Sequence, residues 1–136
     1  MKHIIINEEQ LVIRPLDIEK ECPLIHSFSD NVYARTVFMP KGSILVGKKH
    51  KTRHLNIILS GSARVYMDGN YLDVNSPDII ESKEGCRKIL YILEDMYWTT
   101  IHSTTETELD VLEANLIEET PTIDLENIIK GLVCLG

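Results

Sequence analysis

The stretch Pro40–Gly61, PKGSILVGKKHKTRHLNIILSG, decides the reading of the fold. SILVG and HLNIILS are short apolar runs flanked by Pro and Gly, which reads as strand, turn, strand. The turn between them is charged. It holds Lys48, Lys49, Lys51 and Arg53 together with His50 and His54, in a chain whose net charge is −7. Side chains alternate along a strand, so His54, Asn56, Ile58 and Ser60 share one face and Leu55, Ile57 and Leu59 the other. The all-apolar face suits the packed core. The mixed face suits a barrel pocket or solvent.

Working outward, the same kind of pattern continues. VYARTVFM precedes Pro40, after a turn at Ser29-Asp30-Asn31. Beyond Gly61 come ARVYM, an Asp68-Gly69 hairpin signal, YLDV, a stop at Asn75-Ser76-Pro77, DIIE, a turn at SKEG, RKILYIL, a turn at Glu94-Asp95, and MYWTTIHS. About eight short strands separated by turn residues predict an all-β sandwich or closed barrel. Residues 1–25 are an N-terminal arm or edge strands, because Ile4–Ile6 and Leu11–Ile13 are apolar and need cover. Residues 26–104 form the barrel. Residues 105–136 form a C-terminal helical extension: Thr105 and Glu108 fit a capping box, and Leu109, Leu112, Leu116 and Ile117 recur at helical spacing, predicting a helix over 106–119 ended by Pro121. Asp124 caps a second short helix bearing Leu125, Ile128, Ile129, Leu132 and Val133, a stripe that packs either on its own barrel or on another subunit.

Charge and cysteines bound the partners. Glu106–Glu126 carries eight acids and no Lys or Arg, and Lys130 is the only cation after it, so residues 1–105 are formally neutral. That excludes the broad basic face that duplex nucleic acid needs, but a local cluster suffices for a small anion. No apolar run approaches the ~20 residues that cross a bilayer. MKHIIINEEQ lacks the features of a signal peptide. Cys22, Cys86 and Cys134 then read as reduced thiols, and the expected location is cytoplasmic. Phosphate-binding glycine loops and nucleophile elbows are absent.

PKGSILVGKKHKTRHLNIILSG resembles the first motif of the cupin family: Pro-x-Gly, a strand, His-x-His, a Glu, and an apolar strand closed by Gly. Pro40, Gly42 and Gly61 match. SPDIIESKEGCRKILYIL resembles the second motif, whose strand bears a further His. More narrowly, VYARTVFMPKGSILVGKKHKTRHLNI with EDMYWTTIHSTTETEL resembles small cupin-like proteins encoded in bacteriophage genomes, over roughly residues 22–119; such an origin implies the host cytoplasm. The resemblance implies a small antiparallel jelly-roll barrel, a homo-oligomer, and a pocket in the barrel mouth where many cupins hold a divalent metal with three His and one Glu.

This chain departs from that ligand set. Lys48 stands where the first His is expected, His50 takes the second, Arg53 and His54 lie near the Glu position, and Lys88 falls where the later His belongs. His102 is a third ligand only if it faces inward. Lys48, Arg53 and Lys88 oppose a cation and favour a carboxylate, phosphate or nucleotide-like anion. The competing reading of Lys49, Lys51 and Arg53 is a solvated turn. Trp98 alternates with Thr100 and His102 and is either a pocket wall or core. Tyr66, Arg64 and Tyr91 carry no specific signal, Cys86 lacks an acid–base partner, and His3 and His26 receive no role.

The expected function is a non-catalytic binding protein for a small anion, in one version a phage protein sequestering a host signal. The binding residues are Lys48, His50, Arg53, His54, Asn56, Lys88, Trp98 and His102. The first alternative is a metal-dependent oxygenase or isomerase using His50 and His54, with a divalent metal as cofactor. The second is an oligomeric scaffold working through residues 106–136.

Overall fold

The structure is a computed structural model that describes residues 3–7, 12–47, 49–111, 117–118 and 125–134. Its elements in chain order are β1 (Ile4–Asn7), β2 (Val12–Pro15), α1 (Ile18–Glu21), β3 (Leu24–Ser29), β4 (Val32–Met39), β5 (Ser43–Val46), β6 (Lys49–His50), β7 (His54–Met67), β8 (Asn70–Asn75), β9 (Asp78–Ser82), β10 (Lys88–Ser103), β11 (Ile117–Glu118) and α2 (Leu125–Cys134). Among the described residues nine strands form one antiparallel sheet. The order is β2-β1-β5-β10-β4-β3, with β7 on β10 and both β8 and β9 on β7. β6 and β11 make a separate two-stranded piece.

Two long strands curl the sheet. β7 pairs with β9 through its first half and β8 through its second. β10 pairs with β5 early and β4 late, while β7 runs beside it. The β10–β7 register slips between Ile92 and Trp98, and Gly61 sits at that corner with φ +83°. A Cβ there would strike the Asp95 carbonyl and Met96, so the bend requires glycine. Gly61 and Glu94-Asp95, read in sequence as breaks between strands, are irregularities within continuous ones. The result is the expected all-β, antiparallel jelly-roll architecture with a short C-terminal helix.

Apolar side chains pack in two layers. Leu45, Ile58, Ala63, Val65, Val74, Leu90, Ile92, Met96 and Trp98 fill the interior. On the outside, α2 sets Leu132, fully buried, with Ile128, Ile129 and Val133 against Ile44, Ile89 and Tyr91, and Ile4 and Ile6 of β1 join them. Arg64 Nη1 donates to the Leu132 carbonyl at 3.2 Å, a group that the helix end leaves without an internal partner, and Tyr71 Oη donates to that of Ile128 at 3.4 Å. The α2 stripe thus packs on its own barrel.

Three expectations need correction. β3 is a strand that the sequence reading did not foresee. Residues 109–111 are helical, but 106–108 are not and Ile117–Glu118 form β11, so no helix spans 106–119. Thr104 Oγ1 instead accepts the Glu106 amide, and the Glu106 carboxylate accepts those of Thr107 and Glu108, a local turn that competes with helix. Leu112, Leu116, Pro121 and Asp124 lie outside the described residues. Finally, the all-apolar face of β7 is turned outward, the reverse of the expected packed core, with Leu55 and Leu59 45% and 55% exposed, while the mixed face lines the interior, the first of its two alternatives, with His54 and Asn56 at 4% and 0% exposure.

Candidate metal centre

Cross-strand register builds the site. Tyr33 of β4 stands opposite Phe28 of β3 and His102 of β10; Arg35 stands opposite His26 and Thr100; Thr100 stands opposite Asn56 of β7. These pairs align the inward faces of four strands, so His102 comes beside His54. β6 brings His50 to the same point. Its backbone is fixed on one side by Cys86 and Gly85, with His50 N donating to Cys86 O at 3.3 Å and Gly85 N to His50 O at 2.9 Å. On the other side it pairs with Ile117 of β11.

The three imidazoles converge. Ring centroids are 4.3 Å apart for His50–His54, 4.7 Å for His54–His102 and 5.3 Å for His50–His102. One ring nitrogen from each lies within 4.8 Å of the others. His54 Nδ1 is 3.1 Å from the Thr52 carbonyl. A carbonyl only accepts, so Nδ1 carries the proton and Nε2 keeps its lone pair. His50 Nδ1 and His102 Nδ1 are buried without a hydrogen-bond partner.

All three rings are held neutral. Burial lowers His50 to about 2, with His54, Lys88, His102 and Arg35 adding repulsion in that order. Burial, then His54, Lys88 and Arg35, lowers His102 to about 4. His54 is lowered chiefly by burial and also by Lys88, against a raising contribution from the Thr52 carbonyl. Lys88 itself is buried, and its Nζ lies 3.0 Å from Ser82 Oγ and 3.5 Å from His54 Nε2. Desolvation lowers its pKa, partly offset by Cys86 and Asp68.

The residues singled out in the sequence divide accordingly. His50, His54, His102 and Lys88 come together. Asn56 and Trp98 are framework: Asn56 Nδ2 donates to Ile80 O at 3.1 Å and Ser82 Oγ at 2.8 Å, and Trp98 Nε1 donates to Asn56 Oδ1 at 3.0 Å. Trp98 is a core residue, not an open wall. Arg53 points to solvent and faces Glu81 at 3.8 Å, because it lies in the turn before β7 rather than on its inner face. Lys48 lies outside the described residues. His26 bonds Tyr33 Oη at 2.7 Å, and His3 Nδ1 accepts the Val46 amide at 3.1 Å. Tyr33, Arg35 and Ser82 border the site without having been named. Alternation along VYARTVFM places Tyr33 and Arg35 on one face; nothing in the sequence marks Ser82.

This donor set fits a divalent cation. Imidazoles bind metal only when neutral, and these are. An all-imidazole set suits zinc, copper, iron or nickel. The Thr52 carbonyl orients His54 as outer groups orient metal-binding histidines. Lys88 opposes it, because one lone pair on His54 Nε2 cannot serve both an ammonium and a metal.

No family model matches the chain, and no curated protein matches it significantly. Solved structures do. An RmlC-like cupin family protein with a double-stranded β-helix fold, from Methanocaldococcus jannaschii, superposes with TM-score 0.53 at 8% identity, covering 66% of this chain and 87% of its own. KdgF from a Halomonas species gives 0.56 at 16%, covering 69% and 88%. A cupin domain from Schizosaccharomyces pombe gives 0.55 at 13%, covering 90% and 97%. The shared property is the cupin fold.

Proposed function

We propose that this cupin-fold protein holds one divalent metal ion on His50, His54 and His102 and takes a small anionic ligand at the metal's remaining positions. The observation that carries this reading is the convergence of three buried, neutral imidazoles in the barrel. Three protein ligands leave coordination positions open, which is the pattern of metal sites that engage water or substrate. Among the described residues no carboxylate joins the three histidines, so the imidazoles leave the ion its full charge, and Lys88 adds to it. An anionic ligand offsets both. The chemistry a bound divalent ion supplies is polarisation of a carbonyl or acidification of water. The chain's own contribution is to orient His54 through the Thr52 carbonyl and to bury the site.

Metal analysis after expression in medium supplemented with zinc, iron, nickel or manganese tests this. About one ion per chain, lost in His54→Ala and His102→Ala, is expected. A second reading rests on Lys88 Nζ facing His54 Nε2: a metal-free receptor in which the ammonium and the imidazoles bind a carboxylate or phosphate directly. A protein without stoichiometric metal that binds such anions, and loses them on Lys88→Met, would favour that reading instead.

A further inference from the structure

The interior carries a feature that metal binding does not use. β3 is an edge strand exposed along its whole length, including the residues on its inner face. Phe28, His26 and Leu24 stand opposite Tyr33, Arg35 and Val37, whose partners across β4 are His102, Thr100 and Trp98. The rings form a continuous series. Phe28 lies on Tyr33 at 5.1 Å with 24° between planes, Tyr33 on His102 at 6.1 Å and 20°, and His102 on His50 at 5.3 Å and 14°. His26 stacks on Tyr33 at 5.9 Å and 14° and hydrogen-bonds its hydroxyl. The series therefore runs from solvent, where Phe28 is 43% exposed, to the buried histidines. Arg35 lies beside it, half-buried, and no carboxylate among the described residues pairs with it.

An aromatic stack that ends in exposed Phe28 and His26, beside a guanidinium that no carboxylate among the described residues pairs with, has a definite complement. Aromatic faces favour offset-stacked planar partners. A guanidinium fork matches the paired oxygens of a carboxylate or phosphate. We propose that the outer end of this stack is an entry subsite leading toward the histidines and that it takes an aromatic organic anion. The ligand's ring lies against Phe28 and His26, and its acid group meets Arg35 on the way to the histidines. This deepens the metal reading by naming the class of anion, and it rests on that reading for the inner end of the ligand.

Calorimetric titration of the zinc-supplemented protein with benzoate and phenyl phosphate, against cyclohexanecarboxylate and benzyl alcohol, tests it. At least one aromatic anion should bind, about tenfold more tightly than benzyl alcohol and several-fold more tightly than cyclohexanecarboxylate. The tighter of the two identifies the acid group. Arg35→Gln should weaken it about tenfold and Arg35→Lys less, because the fork is lost but the charge kept. Phe28→Ala, at an exposed position, should weaken it about fivefold, with zinc content unchanged in all three. Binding indifferent to Arg35, equal affinity for cyclohexanecarboxylate, or no binding of either aromatic anion overturns the proposal. Zinc content separates the two readings. Zinc bound without aromatic anions defeats this inference alone, whereas Arg35-dependent binding to a protein that takes up no zinc defeats the metal reading alone.

Discussion

Lys88 is 7% exposed, and none of the ion pairs among the described residues includes it. Burying a cation without a carboxylate to offset its charge costs more than burying an apolar chain of similar size. Lys88→Met should therefore be neutral or stabilising by about 1–3 kcal/mol in urea unfolding. It should also tighten zinc binding, because His54 Nε2 loses its competitor. A destabilised variant would mean that the Ser82 and His54 contacts outweigh desolvation. The histidines give a pH prediction for the metal-free protein. His50 and His102 are held at about 2 and about 4, below the ordinary 6.5. Below pH 6.5 the unfolded chain binds more protons than the folded one, so their contribution is complete at pH 7 and falls as pH drops. The slope is at most about 1.4 kcal/mol per pH unit for each group. The urea midpoint should fall between pH 7 and pH 5, and His102→Gln should flatten that fall. Equal midpoints in wild type would contradict the burial of these rings.

At the scale of elements, β11 matters because it pairs with the two-residue strand carrying His50. Glu118→Pro removes the backbone donor opposite Lys49 and should weaken zinc binding about tenfold, in the range seen for lost outer support, while the barrel still unfolds cooperatively. Unchanged affinity would show that Cys86 and Gly85 alone position His50. Gly61→Ala should cost more than about 1 kcal/mol, since it adds a Cβ to a left-handed residue packed on Asp95 and Met96. The elements explain what the sequence could disclose. Strands bounded by Asp68-Gly69 or Pro40-Lys41-Gly42 were legible from turn chemistry. β3 was not, because neither of its faces is buried and no alternation marks it. His50, His54 and Lys88 were legible from motif spacing. His102 was legible only as a condition, since its approach depends on the β10–β7 register across the Gly61 corner. Arg53 was misplaced because spacing says nothing about where a turn residue points. The reversed faces of β7 follow from the same gap: alternation separates two faces without saying which is inside.

At the scale of the molecule, that reversal leaves an apolar outer sheet. Ile25, Leu55, Leu59, Ile79 and Tyr97 are 56%, 45%, 55%, 61% and 43% exposed, and adjacent strands bring them onto one face. Exposed apolar surfaces of this kind often mark interaction sites, and we propose that the expected homo-oligomer would use this one. Sedimentation should find more than one chain per particle, and Leu55→Glu with Ile79→Lys should shift it toward the monomer. A wild-type monomer at micromolar concentration would contradict this. In the interior, the cupin-fold barrel gathers three neutral imidazoles around one point. Elemental analysis of the wild-type protein and of the His54→Ala, His102→Ala double variant, both expressed with supplemented metal, tests that most directly. About one divalent ion per chain in the wild type and none in the variant is predicted. A wild type without stoichiometric metal, or a variant that keeps it, would contradict the account.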